Sequence, residues 1–527
     1  MTPRSIASAV ALLTAALSAG SALAQHDSGA QGARGHDTSG PMETGPEEHQ
    51  LLVEQARAAA REDRNRESAD LFALAIRRDP LSRSGLLLEY ADQLTYSSRA
   101  RQAVPLYLEV LDAEPGVERR DQALRGLGLA QLWSDRPGAA RRTYGMLLDR
   151  HPDDQDARRN LAQALSWSGR QREAAKVLEA LLRDHPDDRR ARVQLAQAQA
   201  WMGRSEVARA TLATVPEDAA ESTLALRRDL ARSAASRTRL DLQQSTQSDD
   251  LDIGVTRFTH EVPIQGGRGL AGLELAQLRY DDQNSASAAR VTRPTLFGRY
   301  RFSDAWELNG QLGNEAIDSS DGTTRDRLVY ATWLTWWPND VVRLDLSANR
   351  NTLDNLQSLR LGLTATQFAL SMDLTPNERV RFNARVEQAR FSDGNRRRAA
   401  QVAGEYRLHQ RSDTWVGLRH ARMTFSQQVD SGYFNPRELD NSQLTLRTGL
   451  RSRSVAPTWD VSASAAFGRE RADPGGSRPT VDVGVRAGWA LDANTRLEAR
   501  LQRASSRTAD LSGFERTTAG LTLERYW

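Results

Sequence analysis

The sequence predicts a two-domain α + β protein: an N-terminal all-α superhelix of repeats, then a C-terminal antiparallel transmembrane β-barrel of about 16 strands. Three observations predict it. A period of 34 residues runs through residues 48–236, a period of two takes over over residues 237–527, and the final strand ends on an aromatic, Trp527. The 527 residues are ample to bury large cores. Charged residues make up 26% of the chain and mean hydropathy is −0.60. After residue 25 no stretch nears the roughly 18 apolar residues that a transmembrane helix needs, which excludes a helical membrane bundle. The 71 basic and 68 acidic residues leave a net charge of +3, too even for a nucleic-acid binder. Cysteine is absent, so disulfides, thiolate metal sites and cysteine nucleophiles are excluded together. No metal, cofactor or catalytic site is expected.

The N-terminus carries an address. Arg4 precedes an apolar run from Ile6 to Leu17, followed by Ser21-Ala22-Leu23-Ala24. A positive start, a short apolar stretch and a small-x-small end make residues 1–24 a secretory signal peptide. Residues 25–47 contain almost nothing apolar and read as a disordered leader, because they cannot bury enough surface to offset their ordering entropy.

In residues 48–236, Trp133, Trp167 and Trp201 lie 34 apart, as do Ala140, Ala174 and Ala208; Gly169 and Gly203 share the spacing, and so do Pro152 and Pro186. A 34-residue helix-turn-helix unit closed by proline is the tetratricopeptide pattern, here about five repeats. Ala162, Ala174, Ala196 and Ala208 let paired helices approach, and the glycines make the turn between them. Trp133, Trp167 and Trp201 are expected to pack between helices. The concave face of such a stack suits protein partners.

From residue 237 the side chains alternate. Arg379, Arg381, Asn383, Arg385 and Glu387 share one face of a strand, with Val380, Phe382, Ala384 and Val386 on the other. Arg343 and Asp345, and likewise Arg496, Glu498 and Arg500, repeat the pattern. Soluble sandwiches compete with this reading, but strands with one apolar and one strongly charged face suit lipid outside and a watery lumen inside. The charged residues named are therefore candidate lumen-lining residues. Tight connections such as Pro338–Asp340 and Asp492–Asn494 interleave with longer ones such as Ser426–Leu439, the asymmetry of outer-membrane barrels. Trp333, Trp336, Trp337, Trp415, Trp459 and Trp489 are expected in an aromatic girdle near the tight turns. Residues 358–373 read as one strand, and an even strand count returns the C-terminus to the side of the repeats.

The repeat Leu-Ala-x4-Trp-x-Gly-Arg at Leu161–Arg170 and Leu195–Arg204, and Gly432-Tyr-Phe-Asn-Pro436 in the longest loop, resemble the exopolysaccharide export porins. Those are the cellulose and poly-N-acetylglucosamine exporters, with the smaller YaiO-type barrels beside them. The resemblance covers the architecture of the whole mature chain, although five repeats are far fewer than the large arrays of those exporters. It implies an outer-membrane location in a Gram-negative bacterium and export of a cellulose- or poly-N-acetylglucosamine-like polymer. It also implies periplasmic repeats that dock a synthase or modifying enzyme, and a C-terminal Trp527 read by the barrel-assembly machinery. Tyr433 and Phe434 are the expected sugar-stacking pair. A barrel that translocates surface proteins or lipoproteins, usually of fourteen strands, and a barrel that anchors a periplasmic scaffold are the alternatives. An enzyme is not expected, since His260, His409 and His420 lack a companion motif.

Overall fold

The computed structural model describes residues 46–216, 220–409, 412–452, 458–507 and 515–527. The signal peptide and nearly all of the leader fall outside these residues. Among the described residues, eleven α-helices precede the strands: α1 (Pro46–Arg61), α2 (Asn65–Arg78), α3 (Arg83–Leu94), α4 (Ala100–Asp112), α5 (Val117–Trp133), α6 (Pro137–Leu148), α7 (Gln155–Trp167), α8 (Gln171–Asp184), α9 (Arg189–Trp201), α10 (Ser205–Ala213) and α11 (Glu221–Arg232). Among the described residues, no helix is long and apolar enough to cross a membrane.

The chain divides into two compact units, up to Gln93 and from Leu94. In the first, Val53, Ala56, Phe72, Ala75 and Ile76 bury the seam of α1 and α2. In the second, the 34-residue period has a direct physical outcome. Ala162, Ala174, Ala196 and Ala208 are fully buried where helices meet, with Leu178 and Leu181 filling the space beside them. Gly203 turns the chain at φ 75°, a left-handed conformation that suits glycine. Asp154 and Asp188 cap α7 and α9 by accepting the amides of Ala157 and Ala191 at 2.9 and 3.0 Å. The tryptophan ladder meets expectation in part: Trp133 packs edge-on against Tyr96, ring centroids 5.8 Å apart. Trp133, Trp167 and Trp201 are 45%, 40% and 51% exposed, because each stands at the last residue of its helix, beyond the alanine seam.

Sixteen strands follow: β1 (Arg237–Gln247), β2 (Leu251–Ile264), β3 (Gly269–Asp282), β4 (Ala288–Arg301), β5 (Trp306–Ser319), β6 (Thr324–Trp336), β7 (Val342–Thr352), β8 (Thr364–Asn377), β9 (Val380–Phe391), β10 (Arg396–His409), β11 (Thr414–Phe425), β12 (Glu438–Arg451), β13 (Trp459–Asp473), β14 (Gly476–Ala490), β15 (Thr495–Ala504) and β16 (Arg516–Tyr526). Each pairs antiparallel with its sequence neighbours, and β1 pairs with β16 to close the ring. The register aligns Leu346 with Leu370, Leu370 with Val386, and Leu418 with Leu444 and then Phe467. All are about half exposed on the outer wall, the apolar band that lipid requires.

Both ends of the strand region, Arg237 and Tyr526, lie at one end of the barrel, hereafter the near end. Trp527 seals it: its amide donates to the Ser236 carbonyl at 2.9 Å and its indole N–H to Thr238 Oγ1 at 2.9 Å. Outward Trp336, Trp459 and Trp489 sit here, with Trp306 stacked on Trp336 at 5.4 Å and Trp459 opposite Trp489. The expected girdle is otherwise corrected. Trp333 shares the inward face with its partner Asn309, Trp337 lies under two arginines, and Trp415 is 1% exposed on the inward face of β11.

The helices of the second unit dock on the near-end turns. Asp340, between β6 and β7, accepts the first free amides of α8, Arg172 N at 3.0 Å and Glu173 N at 3.4 Å. A turn of the barrel thus caps a helix that has no side-chain cap of its own. Burial pushes the Asp340 carboxyl above the usual carboxylate range. The Arg172 guanidinium donates to the carbonyls of Trp337 (2.8 Å) and Asp304 (2.6 Å), and Arg204 forms a two-pronged pair with Asp304. Arg232 reaches the Ala493 carbonyl at 3.0 Å. A double-mutant cycle of Arg204→Ala and Asp304→Ala, read by thermal unfolding of the full chain, should return a coupling of about 1 kcal/mol. Strictly additive losses would mean that this pair does not hold the seam.

Candidate functional site: the barrel lumen

Because strand side chains alternate, the residues between the outward leucines point inward. The register puts Arg343, Asp345, Arg381, Arg385, Glu387, Arg496, Glu498 and Arg500 on that inward face; Arg379 instead lies exposed in the turn before β9 with its guanidinium on the hydroxyl of outward Tyr406, which corrects its expected place on the wall. Of the inward set, all but Arg381 and Arg500 are held in ion pairs. Arg343 Nε lies 2.9 Å from Asp345, Arg385 3.1 Å from Glu387, and Arg486 3.7 Å from Glu498, while Arg496 on β15 reaches across β14 to Asp460 on β13. Glu387 also takes Arg397, and Arg500 donates to Gln243 Oε1 at 2.6 Å across the closing seam. Such pairing meets the cost of holding charges on a wall only partly reached by water.

Toward the near end stands a group that the alternation alone did not reveal. Three guanidiniums surround the buried Trp415 indole, those of Arg381, Arg407 and Arg447 at 4.2, 4.5 and 4.7 Å from a ring centroid. The indole N–H donates to Asp413 at 2.7 Å, and Glu405 holds Arg447 at 3.3 Å. A cavity of about 480 Å³ opens beside them, lined by Trp337, Arg343, Asp373, Arg381, Glu405 and Arg447.

The far end carries a second feature. Between β7 and β8 the chain leaves the wall as a short helix, α12 (Leu356–Leu361), where the sequence reading had placed the start of a strand. Asn355 caps it through the Ser358 amide at 2.7 Å, and Gly362 ends it at φ 65°. An apolar run beside a cap residue folds as helix here because its leucines find two separate surfaces. Leu359 joins Leu251, Ile253, Leu278, Tyr280 and Ile317 on β2–β5, whereas Leu353 and Leu363 join Phe391, Phe425 and Tyr433 beside β9 and β11. The segment thereby links opposite arcs of the ring. Polar ties fasten it: Tyr280 Oη to Asp354 (2.7 Å), Ser358 Oγ to the Ser431 carbonyl (2.7 Å), and Arg325 and Arg327 to the carbonyls of Arg360 (2.8 Å) and Gly362 (2.9 Å).

Tyr433 and Phe434 belong to this closure, which corrects their expected sugar-stacking role. Tyr433 is 4% exposed, stacked on Phe391 at 4.7 Å, with its hydroxyl accepting from Asn395 and donating to Asp393. Phe434 lies under the Arg507 guanidinium at 4.7 Å. The Tyr433 ring offers no free face, and Phe434 is partly buried against the same cluster. His260, His409 and His420 lie apart, bonded to Thr238, Ser412 and Ser442 respectively.

A closed sixteen-strand ring with an apolar outer wall and a charged lumen, preceded by tetratricopeptide helices, is the architecture of an outer-membrane transport barrel. The strands match the PgaA membrane β-barrel domain over residues 240–508, more than half of the chain, and the helices match tetratricopeptide-repeat models over 134–192 and 168–230. The chain belongs to the PgaA membrane β-barrel family. Solved structures similar to it include a bacterial polysaccharide outer membrane secretin, at 14% identity and TM-score 0.46 over 56% of this chain and 99% of that one. OccK7 (OpdD) of Pseudomonas aeruginosa is similar at 11% identity and TM-score 0.32, covering 56% and 98%. A tetratricopeptide repeat protein from Parabacteroides merdae is similar at 20% identity and TM-score 0.32, covering 36% and 72%. No curated protein matches the chain.

Replacing residues 356–361 by a glycine-serine linker frees the far-end lumen. Planar-bilayer conductance of the full mature chain should then rise at least about twofold, since a ring of this strand number encloses an aqueous channel when unplugged. An unchanged conductance would show that this segment does not limit the pore.

Proposed function

We propose that the chain exports an exopolysaccharide across the outer membrane, with its helical repeats in the periplasm and the near end of the barrel facing them. The family membership of the barrel carries the reading. The sixteen-strand count supports it over a surface-protein or lipoprotein translocation barrel of fourteen strands. A hydroxyl-rich polymer of cellulose or poly-N-acetylglucosamine type exchanges hydrogen bonds with water for bonds to a hydrated wall at small net cost, so it slides rather than lodges. Arg385, Glu387, Arg496, Glu498 and Arg500 would supply those bonds.

On this reading the repeats recruit a synthase or modifying enzyme. The exposed Trp167 and Trp201 flank a groove of about 510 Å³ with Gln163, Gln194 and Val215, a surface that suits such a partner. The segment around α12 swings aside as polymer passes, and Trp527 presents the barrel to the assembly machinery.

Deleting the gene for this chain in its host should abolish surface polymer and leave polysaccharide in the periplasm, measured by linkage analysis of the two fractions. Unchanged surface polymer together with loss of a surface protein would favour protein translocation instead.

A further inference from the structure

The carboxylates of the lumen wall are already occupied. Asp241 is held by Arg239, Glu261 and Glu524 by Arg237, Glu274 by Arg257, Glu307 by Arg301, and Glu315 by Arg293. Asp345, Glu387, Glu405, Asp460, Asp482 and Glu498 have arginine partners in the same way. Asp373 takes the Asn383 amide at 2.8 Å. The reverse does not hold. Among the described residues, Arg299, Arg381 and Arg500 share the inward face with no carboxylate in ion-pair contact: Arg500 reaches the Gln243 amide. Arg381 has only the face of Trp415, at 4.2 Å, and it borders the open near-end cavity.

We infer that this cavity is a carboxylate-recognition site and that the polymer entering the barrel carries carboxylate substituents on its cellulose- or poly-N-acetylglucosamine-like backbone. The inference rests on the export reading and specifies its substrate. A guanidinium stacked on an indole keeps its planar fork of N–H donors directed away from the ring, the geometry that grips a carboxylate with two parallel bonds. Asp413 and the guanidiniums of Arg407 and Arg447 hold the same indole, so the surface beneath Arg381 is fixed before a ligand arrives. Arg299 and Arg500 are further surplus cations on the wall. Several weak sites allow a chain of carboxylates to enter and leave, where one strong site would trap it. A cationic polymer meets carboxylates already neutralised and guanidiniums that repel it.

The test uses the full mature chain in detergent micelles, titrated calorimetrically with three tetrasaccharides: tetragalacturonate, cellotetraose and the glucosamine tetramer. Tetragalacturonate should bind, more weakly as salt rises, and Arg381→Gln should weaken it at least about tenfold. Arg422→Gln, which removes an outer-wall guanidinium paired with Glu438 and away from the lumen, is the folded control and should bind as the parent does. Retention of the heat-modifiable gel shift shows that each variant keeps its barrel. Tetragalacturonate that fails to bind, or binds Arg381→Gln unchanged, overturns the inference. Preferential binding of the glucosamine tetramer or of cellotetraose overturns the acidic assignment alone and leaves the export reading standing.

Discussion

A β-sheet crossing lipid can leave no edge, because an unpaired backbone N–H or C=O in hydrocarbon has no water to turn to. The pairing of β1 with β16 meets this constraint, and the rest of the molecule follows from it. Closure puts one face of every strand outside and the other inside, which fixes leucines to the wall and arginine–carboxylate pairs to the lumen. The even strand count returns the last residue to the end where the strands began, so the helices and Trp527 meet at one rim. A turn of that rim is then free to cap a helix, as Asp340 does for α8.

Much of this was legible in the sequence, for reasons that differ by element. The repeat is written in small residues at fixed spacing, since only alanine fits where two helices touch; hence the fully buried Ala174 and Ala208. The strands are written in their alternation, which must match the two solvents they separate. The lumen-lining face followed from the same parity. Individual aromatics were less legible. Trp415 and Trp336 stand at the same level of the barrel, but parity turns one inward onto three arginines and the other out to lipid. Trp133, Trp167 and Trp201 repeat faithfully, but a repeat spacing fixes a position in the unit and not its burial.

The segment joining β7 and β8 was least legible. Its leucines at 353, 356, 359, 361 and 363 suit either a strand or a helix when read locally. What decides between them is long-range: Leu359 finds the apolar patch on β2–β5, and Leu353 and Leu363 find the aromatic cluster around Phe391. The Tyr433 loop was misread for a related reason. An aromatic pair in a loop suggests a ligand, whereas here the ring of Tyr433 completes the surface on which the segment rests.

The central claim is that polymer leaves through the lumen only when the segment around α12 yields. The parent chain has no cysteine, so Ser358→Cys and Ser431→Cys would place its only two thiols where the segment meets the opposing loop. A cleavable methanethiosulfonate cross-linker between them would lock that contact in cells. The account predicts that surface delivery of polysaccharide stops on cross-linking and resumes when reductant cleaves the bridge. Delivery at the parent rate with the segment locked would contradict it.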